Sequence, residues 1–246
     1  MLIEQHQWWS PALTQDMTLK VYGHYGKPMI VFPAQSGRFY DYENFGMVEA
    51  VRGSIDTGKI KLYAVDSIDS QSWANWEAHP ADRARRHDDY DRYITQEVVP
   101  FIRTHCGDNQ YKCLTTGCSM GAYHSANIFF RHPDLFDGVI SVSGLYQLSL
   151  FVGDFMDERI YFNSPLAYLS NLSDPWYLDM YRQSAIVICC GQGAWEDAML
   201  EDTRAIGRVL EAKGVPAWID IWGGDVNHDW PWWRKMMPYF LEKLGL

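Results

Sequence analysis

Residues 112–124 carry the feature that most restricts how this chain can fold. Gly117-Cys118-Ser119-Met120-Gly121 is a G-x-S-x-G pentapeptide, preceded by an apolar, β-branched run and followed by a helix-forming run over 122–131. A serine on such a strand-to-helix turn is forced into a strained backbone conformation that lifts its hydroxyl above the sheet. The flanking glycines have no Cβ, so strand and helix can approach closely around it. A plain Gly/Ser turn is the competing reading, and the strand before and helix after favour the elbow.

The rest of the chain alternates in the same way. Segments 17–22 and 27–32 read as strands separated by Gly23-His24-Tyr25-Gly26, a hairpin-type turn. Met29-Ile30-Val31-Phe32 is apolar throughout, as expected of a strand buried on both faces. A short helix over 47–54 and a strand over 61–66 follow. Segment 80–103 reads as a long charged helix whose inner face is marked by Tyr90, Ile94, Val98 and Ile102, every four residues. Further strands are predicted at 111–116, 138–142, 185–190 and 217–221, with helices at 120–131, 198–213 and 232–244. This alternation predicts an α/β fold, a mostly parallel central sheet flanked by helices on both faces, with right-handed crossovers. Ligands of such sheets sit outside the carboxyl ends of the strands. No linker, charge block or repeat divides the 246 residues, so a single domain over 1–246 is expected. The Pro- and aromatic-rich stretch 144–182 has little periodicity and is the candidate for a cap-like insertion.

Composition removes several function classes. A formal net charge of −10 opposes binding to nucleic acid, which needs a concentrated basic face. The one basic cluster, Arg83-Ala84-Arg85-Arg86, runs into His87-Asp88-Asp89 and reads as a solvated helix face rather than a phosphate or metal site. No apolar run is long enough to span a bilayer, and the first residues lack the basic and apolar parts of a signal peptide. The five cysteines are odd in number and have no C-x-x-C spacing, so free thiols and a cytoplasmic location are expected, without a zinc site.

A serine hydroxyl is a weak nucleophile at neutral pH. It needs an imidazole to take its proton and a carboxylate to orient that ring. On this type of sheet the order is serine, acid, histidine, with the last two on loops after later strands. Gly191-Gln192-Gly193-Ala194-Trp195-Glu196-Asp197 follows one predicted strand and Gly223-Gly224-Asp225-Val226-Asn227-His228-Asp229 follows another. His228 is the only histidine after His132 and is the single candidate base. The carboxylate is open on these grounds: Glu196 and Asp197 are adjacent, Asp225 and Asp229 flank the histidine, and Asp197 could instead cap the next helix. The oxyanion of the tetrahedral intermediate needs two backbone N–H donors. Met120 is the first, and Phe32-Pro33-Ala34-Gln35-Ser36-Gly37 should hold the second, with Gln35 preferred over Ser36.

These blocks resemble the esterase branch of the α/β-hydrolase superfamily, which includes esterase D-type S-formylglutathione hydrolases, feruloyl and acetyl-xylan esterases, enterochelin esterases and mycolyltransferases. The elbow, Cys190-Gly191-Gln192-Gly193, His228 with Asp229-Trp230-Pro231-Trp232-Trp233, and Phe32-Pro33-Ala34-Gln35 with Arg38-Phe39-Tyr40-Asp41-Tyr42 carry the resemblance. It covers roughly 20–244, and 144–182 matches poorly. It implies an α/β-hydrolase fold and a serine carboxylic-ester hydrolase working through an acyl-enzyme, with no metal or organic cofactor. In the mycolyltransferases the Cys-Gly-x-Gly block reaches the acid after the same number of residues as Asp197, so Asp197 is the expected acid with Ser119 and His228.

The substrate would be a small ester. Six tryptophans, Trp73, Trp76, Trp195, Trp230, Trp232 and Trp233, fall in segments near the carboxyl edge, which would suit a sugar face, an aryl group or an acyl chain. Trp73 and Trp76 are the candidate substrate contacts, and Arg38 a candidate clamp for a carboxylate or hydroxyl cluster. His124, Tyr123 and Cys118 read as packing residues. Hydrolases of this kind are often dimers or larger, so a homo-oligomer is an expectation without an identifiable interface. An acyltransferase with the same triad, or a non-catalytic binding module on the same fold, are the alternatives; the ordered Ser119, Asp197 and His228 oppose the second.

Overall fold

The computed structural model describes residues 1–246. Its strands are Ile3–Ser10 (β1), Gln15–Tyr22 (β2), Lys27–Phe32 (β3), Ile60–Val65 (β4), Cys113–Cys118 (β5), Phe136–Val142 (β6), Ala185–Cys190 (β7) and Trp218–Ile221 (β8). They form one sheet in the order β1-β2-β4-β3-β5-β6-β7-β8. β2 runs antiparallel to β1 and β4, and all other pairs are parallel. The α/β fold expected from strand–helix alternation is therefore present, extended by an antiparallel edge.

One expectation about that edge fails, and one of its strands was not anticipated. Segment 23–26 is not a hairpin turn, because β4 lies between β2 and β3. The glycines there serve a crossing instead: a Cβ on Gly26, at φ 111°, would lie 2.5 Å from the Lys59 carbonyl carbon. β1 carries no strand prediction at all. Its alternation is half-exposed with half-buried, not apolar with polar, since Glu4, His6 and Trp8 form its inner face.

The helices are Asp41–Asn44 (α1), Met47–Ala50 (α2), Arg52–Asp56 (α3), Pro80–Tyr93 (α4), Val99–Cys106 (α5), Met120–Arg131 (α6), Ser149–Val152 (α7), Glu158–Phe162 (α8), Pro165–Asn171 (α9), Pro175–Arg182 (α10), Asp197–Ala212 (α11) and Trp230–Lys243 (α12). α4 and α5 are one continuous rod with a wide π-turn at Ile94–Val98. Pro100 explains the turn, since it supplies no N–H and its ring crowds the carbonyl one turn earlier. Strand side chains alternate between two cores. Ile30, Phe32, Tyr63 and Val65 pack against α4, α5, α6 and α11, while Met29, Val31, Leu62 and Ala64 pack against α2, α3 and α12. Burial on both faces is what the continuous apolar runs require.

The expected solvated face of α4 is not uniformly solvated. Arg83 and His87 are buried, because residues 144–182 fold as the four short helices α7–α10, and α8 packs on α4. Arg83 donates to the backbone carbonyls of Trp73 and Phe151, and Asp88 faces Arg131 and Arg159. All five cysteines are free and four of them are buried. No helix is long and apolar enough to cross a membrane.

Candidate active site

Ser119 ends β5 at φ 59° and ψ −122°, a region that costs a non-glycine residue energy and persists only where the surroundings enforce it. The enforcement is steric. A Cβ on Gly117 would sit 2.3 Å from the Gly121 carbonyl carbon, and one on Gly121 would sit 2.3 Å from the Phe32 carbonyl oxygen. Strand, elbow and the loop that follows β3 therefore touch through bare backbone. The Ser119 amide donates to Val142 on the next strand at 3.0 Å, which fixes the hydroxyl above the carboxyl edge.

His228 arrives from the loop after β8, and its Nε2 lies 2.9 Å from Ser119 Oγ. The loops after β7 and β8 are joined directly. The Gly193 amide donates to the Val226 carbonyl at 2.8 Å, the Ala194 amide to Asn227 Oδ1 at 2.8 Å and the His228 amide to the Ala194 carbonyl at 3.0 Å. Gly191 and Gly193 make this possible, because a Cβ on either would come within 2.3 Å of Val226 or Asn227. The edge of the His228 ring meets Trp233, which anchors α12 beneath it.

The carboxylate facing His228 is Glu196, and this corrects the expectation of Asp197. Trp195 adopts φ 68°, which bends the chain so that Glu196 turns inward and becomes fully buried. Asp197 begins α11 with its side chain in solvent. Glu196 Oε2 is 3.3 Å from His228 Nδ1, at ion-pair distance but not aligned as a hydrogen bond, and neither atom has another partner. Glu196 Oε1 accepts from Ser143 Oγ at 2.5 Å, and that hydroxyl accepts from Trp233 Nε1 at 3.1 Å. Asp229 caps α12 through the Trp230 amide, so its carboxylate is occupied. Burial, with Glu196 nearby, holds the Cys118 thiol well above its ordinary range, so it stays protonated beside the serine.

Met120 begins α6 with its amide at the helix start, and its side chain packs with Trp73, Tyr123, Leu148 and Val152. Of the two oxyanion-loop candidates, Ser36 has its amide committed to Asp69 Oδ2 at 2.9 Å, whereas the Gln35 amide meets no protein acceptor. The other oxygen of Asp69 lies 2.8 Å from Nε2 of His124 on the elbow helix, and both residues are almost fully buried. This tie between loop and helix has no counterpart in the sequence-based expectations, which placed His124 as simple packing. Asp69 follows β4 and Ser143 follows β6, so both stand at the carboxyl edge where functional residues collect.

The substrate candidates separate. Trp73 is fully buried, which removes it as a substrate contact and makes it core beneath Met120. Trp76 is 60% exposed and stacks on Phe151 at 5.8 Å, over the Arg83 guanidinium. Phe151 in turn packs on the cluster containing Met120, so this ledge continues to the elbow. Arg38 is half-exposed and gives its Nε to Asp66 at 2.7 Å, a pairing that raises its pKa further. A cleft of about 1020 Å³ at the far end of α6, around Arg131, His132 and Tyr168, contains none of these residues.

Residues 10–244 match the family described as "Putative esterase". The chain belongs to that esterase family. Membership makes it a serine ester hydrolase. Among solved structures, this esterase is similar to a ferulic acid esterase at 16% identity, covering 99% of this chain and 97% of that one, with a TM-score of 0.77. It is also similar to MPT51 (FbpC1) of Mycobacterium tuberculosis, at 14% identity, 99% and 98% coverage and a TM-score of 0.75. S-formylglutathione hydrolase (FrmB) from Staphylococcus aureus aligns at 15% identity, 100% and 99% coverage and a TM-score of 0.69. At such identities these likenesses concern the fold, and they agree with the α/β-hydrolase architecture of the esterase. No curated protein matches the sequence.

Proposed function

We propose that the esterase works through a Ser119–His228–Glu196 triad and an acyl-enzyme. The observation that carries this reading is the 2.9 Å contact between Ser119 Oγ and His228 Nε2 on a sterically enforced elbow. Ser119 Oγ attacks the ester carbonyl carbon as its proton passes to His228 Nε2. The carbonyl oxygen becomes an oxyanion facing the Met120 and Gln35 amides, and Glu196 stabilises the imidazolium from the Nδ1 side. Collapse breaks the ester C–O bond, and the leaving alcohol takes the proton from His228. Water then attacks the acyl-enzyme with His228 as base, and the acid product departs as Ser119 recovers its proton.

The substrate class we assign is a small ester with a planar, aromatic or sugar-bearing part. The exposed Trp76–Phe151 ledge next to Met120 supports it, as does the likeness to a ferulic acid esterase. Helix α7, with Leu148 and Val152 against Met120, would form one wall of that site, giving 144–182 a cap-like part. Five free thiols fit a reducing, cytoplasmic setting.

A fluorophosphonate probe tests the nucleophile. Wild type should label covalently and Ser119→Ala should not, while His228→Ala should label slowly. Equal labelling of Ser119→Ala would reject the assignment.

A further inference from the structure

On the edge strand β1, three side chains outside the mechanism converge. Glu4 and His6 are two residues apart on β1, so they share its inner face. His105 reaches them from the last turn of α5. Glu4 Oε2 lies 3.0 Å from His6 Nε2 and 3.0 Å from His105 Nε2, and all three donor atoms fall within 4.8 Å of one another. We propose that Glu4, His6 and His105 form a binding site for a borderline divalent transition-metal ion, with zinc the best match.

The donor set and its spacing carry the proposal. Zinc bonds of about 2.0–2.1 Å in a tetrahedron place neighbouring ligand atoms roughly 3.3 Å apart, close to the 3.0 Å that already separates Glu4 Oε2 from each imidazole nitrogen. Two imidazoles and one carboxylate suit zinc and its neighbours, not magnesium or calcium, which prefer oxygen alone. Three protein ligands leave the fourth position to water. The side chains are 20% to 32% exposed, so an ion can reach them without opening the fold.

Both rings are also oriented from behind. His105 stacks on Phe101 at 5.3 Å with 14° between the planes, and His6 packs on the same ring at 4.9 Å. Nδ1 of His105 is 3.0 Å from the Tyr63 hydroxyl, which is itself 3.1 Å from Cys106 Sγ. When Tyr63 donates to that sulfur it accepts from Nδ1–H, and the Nε2 lone pair then faces Glu4. Such outer partners fix the tautomer of metal-binding histidines.

The position indicates a structural clip. Glu4 of β1 stands in a row with Val21, Tyr63, Ile30 and Thr115, and His6 with Leu19 and Val65, on the edge strand of the sheet, with β2, β4 and β3 between it and the β5 elbow that carries Ser119. An ion bound there would fasten the edge strand β1 to α5 and stabilise the folded state, since the unfolded chain has no preformed site.

Calorimetric titration of tag-free, chelator-treated protein with zinc chloride tests this, alongside thermal unfolding and the visible spectrum of the cobalt(II) form. Wild type should bind one equivalent with micromolar or tighter affinity, show the intense visible bands of tetrahedral cobalt, and melt at a higher temperature with zinc. His6→Gln and His105→Gln should each abolish the stoichiometric site while keeping the melting temperature of metal-free wild type. Tyr63→Phe should weaken binding by about tenfold or more. Absence of saturable binding in wild type, or binding that survives in the His6→Gln/His105→Gln double variant, overturns the proposal.

Discussion

The two sides of the Ser119 hydroxyl are held by different means. On the base side, the loops after β7 and β8 are locked together by backbone hydrogen bonds that Gly191 and Gly193 permit, and the side chains ride on that frame. On the side of the proposed oxyanion donors (the oxyanion side), one buried carboxylate, Asp69, joins the Ser36 amide to His124 of the elbow helix. The base side therefore separates architecture from chemistry, so its charged groups can be changed with the frame intact. On the oxyanion side a single side chain serves geometry and electrostatics together, and a change there should register in both.

Substitutions of the acid should give the largest contrast. Glu196→Gln keeps the shape and the Ser143 contact but removes the charge that the proposed mechanism uses to stabilise the imidazolium. In known triads that loss lowers kcat by about 10⁴, and the long 3.3 Å contact here argues for about 10² to 10⁴. Asp197→Asn, at a solvent-facing helix start, should leave kcat within about twofold. Steady-state rates on an aryl ester would compare the two, and a crippled Asp197→Asn beside an active Glu196→Gln would return the role to Asp197.

Asp69→Asn probes the other side. Losing one oxyanion donor outright costs about 10² to 10³ in kcat. A loosened loop retains part of that donor, so a fall of about 10- to 100-fold is expected with KM nearly unchanged. A variant that melts earlier yet turns over normally would make Asp69 a purely structural tie.

The oxyanion side should also be the more acid-sensitive one. His87 stacks on His124 at 5.4 Å, and burial, then the charges of His124 and Arg131, hold its pKa well below the ordinary 6.5. Above 6.5 both folded and unfolded states leave this imidazole neutral, so it costs nothing. Below 6.5 the unfolded chain takes up a proton that the folded one refuses, and stability falls by about 1.4 kcal/mol per pH unit from this group. Urea unfolding at pH 5, 6 and 7 should show that slope in wild type and a shallower one in His87→Gln. Parallel slopes would mean that His87 is charged in the fold.

What could be read without coordinates follows the same division. Ser119 could be picked out because backbone chemistry marks its turn (glycines at fixed offsets, strand before, helix after), and His228 because it is the only histidine after His132 and follows the last predicted strand; the structure places the two 2.9 Å apart. The two-faced burial of β3 was equally legible from its continuous apolar run Met29-Ile30-Val31-Phe32. Glu196 against Asp197 was not, because a left-handed Trp195 decides which of two adjacent carboxylates turns inward, and nothing in the residue type announces that bend. The hairpin at 23–26 failed for a topological reason: local turn chemistry cannot tell pairing from a crossover past a later strand. Asp69 and Ser143 escaped notice and Arg83 was read as solvated, because partners such as Ser36, Glu196 and Phe151 lie 33, 53 and 68 residues away and a buried polar group looks exposed on paper.

Trp76 offers the smallest effect and tests how far the ledge takes part. Its indole is 60% exposed, so little core packing depends on it. Phe151 beneath it is tethered through its carbonyl to Arg83 Nη2 at 2.6 Å, which keeps the platform in place when the indole is removed. An aromatic pair contributes about 0.5–1.5 kcal/mol beyond simple burial, or roughly 2- to 12-fold in binding. Trp76→Ala should therefore raise KM several-fold for aryl esters such as feruloyl esters and leave acetyl esters unchanged, with kcat constant for both. The informative quantity is the ratio of kcat/KM for the two ester classes, because a general loss of fold or of triad geometry cancels in it. If that ratio does not move, the aromatic part of the substrate lies elsewhere, and the base side with its 84% exposed Trp195 becomes the next surface to test.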